Sequence, residues 1–184
     1  MTGYLAEMID EFVDETEWPP GVTVETLFTG EDTPTGGRVY EARDLVSPGT
    51  FGLTYADGLA DIDLDALLAF HEDGDALATV TVIRPHIQWG VVDLGEGGRV
   101  EGFREKPLSE HWVNGGFFFM EPAALDWIGP DSTLEDEPLE ELAAAGELRG
   151  WQHEGFWDCV DTYKDLISMN DLWQSGEAKW LARS

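Results

Sequence analysis

Residues 50–63 read Thr50-Phe51-Gly52-Leu53-Thr54-Tyr55-Ala56-Asp57-Gly58-Leu59-Ala60-Asp61-Ile62-Asp63, and the first half of this stretch decides the fold. Thr50 to Ala56 is a short apolar run of the kind that makes a buried strand. It stops at Asp57-Gly58, a turn signal. Leu64 to His71 then reads as a helix, and Ala76 to Arg84 is dense in β-branched residues and reads as a second strand. Strand, helix, strand makes a βαβ unit with a right-handed crossover.

Upstream, Leu5, Met8, Ile9, Phe12 and Val13 recur at helical spacing, so residues 3–14 are expected to form an amphipathic helix ending before Pro19 and Pro20. Apolar residues alternate in Val22 to Phe28, which predicts a strand, and Thr29 to Gly37 is turn-rich. Arg38 to Leu45 reads as a second helix. Downstream, strands are expected at 90–94, 100–104, 112–120 and 148–153, with helices at 122–128, 138–145 and 162–175. The fold class is therefore α/β: a mixed, mostly parallel sheet flanked by helices, with antiparallel additions in the second half. At 184 residues and 42% hydrophobic content, with 8 Trp and 9 Phe, one sizeable core is expected, hence a single domain over 1–184.

Charge is the strongest compositional signal. Asp and Glu number 38 against 10 Lys and Arg, a formal net charge of −28. The carboxylates are spread along the chain rather than gathered in one block, which favours a solvated halophilic surface over an acidic docking patch. The same charge argues against nucleic acid as a partner, because phosphate backbones need a basic footprint. No apolar run approaches the ~20 residues that span a bilayer, and no membrane partner is expected. The acidic opening residues are unlike a signal or transit peptide. A single cysteine, Cys159, excludes an intramolecular disulfide and suits a reducing interior. A soluble, cytoplasmic protein is the expectation.

Several residues have the chemistry for a phosphate site. Asp57, at the carboxyl end of a strand and followed by glycine, is placed to hold Mg²⁺ against a triphosphate; equally, it shapes the turn leading to the helix near Leu64. Asp161 closes an unusually aromatic acidic segment, Gly155 to Thr162, where it serves as metal ligand, helix cap or both. Lys106, in Glu105-Lys106-Pro107, is one of three lysines in a chain that avoids them, which suggests an anion to neutralise. Arg38 and Arg84 meet a phosphate or pair with carboxylates. Asn114-Gly115-Gly116 lies in an aromatic strand, and paired glycines there mark close approach by ligand or backbone. Gly90 opens another strand. The four histidines, His71, His86, His111 and His153, show no metal-ligand spacing and are read as structural.

Taken in order, 29–38 (TGEDTPTGGR), 53–63 (LTYADGLADID), 89–92 (WGVV), 105–107 (EKP), 112–118 (WVNGGFF), 137–139 (EPL), and Gly155-Phe156-Trp157 with Asp161-Thr162 resemble the glucose-1-phosphate cytidylyltransferases among the sugar-nucleotide pyrophosphorylases. The resemblance runs from about Val22 to the end. It implies the Rossmann-like nucleotide-diphospho-sugar transferase fold, Mg²⁺, and condensation of CTP with α-D-glucose 1-phosphate to CDP-glucose and pyrophosphate, feeding surface-polysaccharide synthesis. On that basis Asp57 and Asp161 hold the metal and Lys106 binds the sugar phosphate. Glu105, Asn114 and the Gly90 backbone grip sugar hydroxyls, and Thr35, Gly36, Gly37 and Arg38 contact the cytidine. The family commonly assembles into oligomers, so a homo-oligomer is a further expectation.

Two departures stand out. Ala56 occupies a position that the family fills with glycine, harmless unless the backbone there needs a positive φ. The family's opening strand and its glycine-rich loop with an arginine, which cradle the triphosphate, have no counterpart in the sequence. The chain alone is therefore expected to be inactive. Alternatives are the same reaction with dTTP or UTP, and a non-catalytic module that binds sugar phosphate or docks on a partner.

Overall fold

The computed structural model describes residues 1–181; the last three residues of the expected domain, 182–184, lie outside them. The elements are α1 (Ala6–Glu15), α2 (Thr35–Glu41), α3 (Arg43–Val46), β1 (Phe51–Thr54), β2 (Gly58–Ala60), α4 (Leu64–Glu72), β3 (Ala78–Ile83), β4 (Val91–Leu94), β5 (Val100–Arg104), β6 (Val113–Met120), α5 (Glu137–Ala145), β7 (Leu148–Gln152), β8 (Trp157–Cys159) and α6 (Tyr163–Gln174). One sheet has four strands in the order β1-β6-β3-β7, and two smaller ribbons pair β2 with β8 and β4 with β5, both antiparallel. This is a mixed α/β fold, as the strand and helix alternation predicts.

Most differences from the sequence reading are local. Val22 to Phe28 forms no strand: only Phe28 bridges, in parallel, to Thr2. Val22 and Phe28 are exposed, so this alternation has no buried face to set it. The helix expected from Arg38 instead begins at Thr35 and takes in Gly36 and Gly37. Pro122–Trp127 winds as a 3₁₀ segment rather than an α-helix. The strands β2 and β8 are additions.

The chain forms two compact units. The first comprises 1–52, 75–78 and 119–149, with a core that includes Val39, Met120, Ile128, Leu134 and Leu142. Within it, α2 lies against the loop 129–132, where the Gly37 N–H donates to the Ser132 carbonyl at 3.0 Å. A Cβ on Gly37 would stand 2.3 Å from the Pro130 carbonyl oxygen, and one on Gly36 would stand 2.6 Å from the Ser132 carbonyl oxygen. The glycine pair is what lets the helix and loop approach.

The second unit comprises 53–74, 79–118 and 150–184. Its buried residues include Leu67, Val80, Ile83, Phe118 and Met169, with His71 and the β3 threonines Thr79 and Thr81 among them. His71 Nδ1 and the Thr79 hydroxyl lie 2.9 Å apart, which satisfies two polar groups in an apolar setting. β6 turns through Gly116 at φ +79°, and a Cβ there would meet the Tyr55 ring at 2.6 Å. The close approach that the paired glycines predict is thus by an aromatic ring and backbone of the same unit.

Candidate functional site

The antiparallel β2–β8 ribbon positions the two carboxylates of interest. Gly58 pairs with Cys159, Leu59 with Asp158 and Ala60 with Trp157. One residue beyond this register, the Val160 N–H donates to the Asp57 carbonyl at 2.9 Å. Asp57 and Asp161, 104 positions apart in sequence, therefore sit at the same end of one ribbon. Cys159 reports the same convergence: its thiol donates to Asp161 Oδ2 at 3.2 Å. Its pKa is pushed up to about 12 by burial, then by the hydrogen bond to Asp161, then by the charges of Asp161, Asp158 and Asp57. A thiol so surrounded stays neutral and is no nucleophile at ordinary pH.

Asp57 lies in the turn that leads into β2, so its turn-shaping role stands, while the helix-cap roles near both acids belong to other residues. The α4 cap is Asp63, which accepts from the Ala66 N–H at 2.9 Å. The α6 cap is Thr162, in a reciprocal capping box with Asp165. Asp57 and Asp161 are both exposed at the ribbon end, where a pair of carboxylates fits Mg²⁺, an ion that takes one or two carboxylates and fills its remaining positions with phosphate oxygens and water. Among the described residues no group of three or more His, Cys, Asp or Glu is poised to enclose a cation. Ala56 has no positive φ, so the alanine for glycine exchange strains nothing.

The remaining predicted residues fall into two groups. Gly90, Glu105, Lys106 and Asn114 share the second unit with the carboxylate pair. A Cβ on Gly90 would come within 3.0 Å of Glu105 Oε2, so these two adjoin. Asn114 is oriented on both sides: Nδ2 donates to the Tyr55 hydroxyl at 3.2 Å, and Oδ1 accepts from the Gly116 N–H at 2.8 Å. Lys106 is exposed and has a left-handed backbone, φ +44°. That conformation costs an L-residue ~1–2 kcal/mol.

Thr35, Gly36, Gly37 and Arg38 belong to the first unit and are engaged by protein groups. The Thr35 hydroxyl donates to Glu135 Oε2 at 2.6 Å and accepts from the Leu134 N–H at 2.9 Å. The Arg38 guanidinium donates to the Thr2 carbonyl, the Thr29 hydroxyl and the Glu31 carbonyl at 2.9, 2.7 and 3.2 Å. Gly36 and Gly37 are buried.

Trp157 and His153, the latter read from sequence as structural, also shape the second unit. Trp157 donates from Nε1 to the Gly115 carbonyl at 2.7 Å. His153 is buried, with Nε2 at 3.0 Å from both Asp61 Oδ1 and the Phe156 carbonyl. The aromatic excess of 155–157 was the available signal for the first, and the absence of metal-ligand spacing for the second. Two cavities, of about 530 and 720 Å³, both border Asp61, and the pair Asp57 and Asp161 lines neither.

Comparison with known proteins agrees with this architecture. The nucleotidyl transferase family profile matches residues 1–175. The chain is 38% identical over 201 residues to "Probable glucose-1-phosphate cytidylyltransferase" of Bacillus subtilis, covering 98% of this chain and 79% of that one. Identity to the glucose-1-phosphate cytidylyltransferase of Salmonella typhi is 37% over 183 residues, covering 98% and 70%. Among solved structures, HddC from Yersinia pseudotuberculosis superposes with a TM-score of 0.64 at 16% identity, over 93% of this chain and 76% of that chain, a likeness of fold.

Proposed function

The chain belongs to the nucleotidyl transferase family, and on that premise we propose that it serves cytidylyl transfer from CTP to α-D-glucose 1-phosphate, giving CDP-glucose and pyrophosphate. The observation that carries the reading is the convergence of Asp57 and Asp161 at one end of the β2–β8 ribbon, two carboxylates that the sequence keeps far apart. They are the residues that would hold Mg²⁺, which when bound neutralises phosphate charge. Lys106 meets the phosphate of the sugar substrate; Glu105, Asn114 and the Gly90 backbone hold its hydroxyls. A phosphate oxygen of glucose 1-phosphate forms a bond to the α-phosphorus of CTP as the α–β bridging bond breaks, and pyrophosphate leaves with that electron pair. The chain's contribution is positioning and charge neutralisation, with no covalent intermediate.

The net charge of −28 supports work in a salt-rich cytoplasm, and the product suits surface-polysaccharide synthesis. A single nucleotidyltransferase domain and assembly into homo-oligomers belong to the same reading. No helix among the described residues is long and apolar enough to cross a membrane.

One observation favours a second reading of the nucleotide. The only local signal for cytidine was Gly36-Gly37-Arg38, and there the glycines are buried and the Arg38 guanidinium is engaged by Thr2, Thr29 and Glu31. The same transfer with dTTP or UTP follows if base choice rests elsewhere. Calorimetric titration in molar KCl with Mg²⁺ separates the two. Binding of glucose 1-phosphate together with a preference for CTP over dTTP and UTP is expected; a dTTP or UTP preference moves the assignment to that nucleotide, and failure to bind glucose 1-phosphate removes it. Because the 184 residues contain no glycine-rich phosphate loop of the family's kind, CDP-glucose formation by this chain alone is expected to be undetectable by chromatography, and robust formation would contradict that expectation.

A further inference from the structure

Lys106 holds a backbone conformation that two local preferences oppose. Its φ of +44° lies in the left-handed region disfavoured for any residue with a Cβ. Pro107 follows, and a proline steers the residue before it toward extended backbone. Something in the surrounding structure must therefore hold the turn.

Part of the hold is a short antiparallel clasp. His86 bridges to Leu108; the Ile87 N–H donates to the Pro107 carbonyl and the Ser109 N–H to the Pro85 carbonyl, each at 2.9 Å. The clasp fixes the chain after Lys106 but leaves the carbonyl of Lys106 itself to a side chain. The His86 ring supplies the partner, with Nδ1 at 3.0 Å from the Lys106 carbonyl oxygen. A carbonyl only accepts, so Nδ1 carries the proton. One end of the Lys106 turn is pinned through backbone and the strained residue through a histidine that has no metal-ligand spacing and no place in the chemistry set out above.

We propose that His86 is a positioning residue: its Nδ1–H holds the left-handed turn at Lys106 and thereby aims the Lys106 ammonium at the phosphate of the sugar substrate. The inference rests on the reading of Lys106 as the phosphate-binding cation. A staple with only a structural role would lower stability on removal and leave ligand affinity alone. A positioning role changes sugar-phosphate affinity and is restored by any side chain that returns a donor to the same place.

Calorimetric titration of α-D-glucose 1-phosphate in molar KCl, on variants first verified as folded by circular dichroism, tests this. His86→Phe is expected to weaken binding about tenfold, the scale of one lost hydrogen bond. His86→Asn, whose Nδ2 lies as many bonds from the backbone as Nδ1, should stay within about twofold of the parent. Lys106→Gln should weaken binding at least as much as His86→Phe, and the double variant should bind no worse than Lys106→Gln alone, because both changes remove one interaction. If Lys106→Gln weakens binding while His86→Phe does not, or His86→Asn fails to restore it, the positioning role is overturned and the Lys106 reading stands. If Lys106→Gln binds like the parent, the Lys106 reading falls and takes the role of His86 with it.

Discussion

Gly37 has room for hydrogen and nothing larger. The Cβ of an alanine there would stand 2.3 Å from the Pro130 carbonyl oxygen, and that atom is backbone. Gly37→Ala should therefore cost about 2 kcal/mol of unfolding free energy, as overpacked cores do. Chemical denaturation at fixed salt measures it; an unchanged midpoint would mean that α2 and the 129–132 loop are not packed as described. The same residue shows where a sequence stops being legible. Gly36-Gly37-Arg38 carries a real signal, but a glycine pair reads alike whether a ligand or a neighbouring loop comes close. The Arg38 guanidinium likewise looks identical in sequence whether it meets a phosphate or the Thr2 and Glu31 carbonyls. Asp57 and Asp161 each end a local pattern, a strand closed by Asp-Gly and an aromatic segment closed by an acid, but neither pattern alone separates a ligand from a turn or cap residue. His86 was not legible, because its role depends on the backbone angle of a residue twenty positions away.

At the scale of the element, α6 offers a test that is independent of any ligand. Thr162 caps the helix, and its hydroxyl is the main reason the Asp165 carboxyl is held below the ordinary carboxylate value, with the Thr162 and Asp161 backbone groups adding to the effect. Thr162→Ala should lower stability by about 1 kcal/mol. Because the folded-state pKa of Asp165 is lowered, its contribution is fully present above the unfolded value of about 3.9 and is lost as pH falls through the lower folded value. The stability difference between parent and Thr162→Ala should thus be constant from neutral pH to about pH 5 and shrink below about pH 4. A difference that grew on acidification would contradict the capping box. Elements with strong patterning, such as α4 and β3, were legible to within a residue or two, and α1 to within three. The ribbon strands β2 and β8, three residues each, were not: three residues hold too little alternation to register, and their pairing partner lies in another part of the chain. Val22 to Phe28 failed for the opposite reason, alternation without a face to bury.

The whole molecule carries a net charge of −28 on 184 residues, and mutual repulsion of that size opposes compaction. Raising KCl from about 0.1 M to about 1 M shortens the screening length from about 10 Å to about 3 Å. The thermal midpoint should rise steadily over that range, and a flat or falling profile would sink the salt-adapted reading. The claim on which the functional account rests is narrower: Asp57 and Asp161 share one divalent cation. Substoichiometric Mn²⁺, added to the ¹⁵N-labelled protein in KCl, broadens amide resonances nearest the bound ion. Gly58, Cys159 and Val160 are expected to broaden first, and Asp57→Asn or Asp161→Asn to abolish their preference. Broadening that begins at other carboxylates and leaves those three amides sharp would contradict that claim.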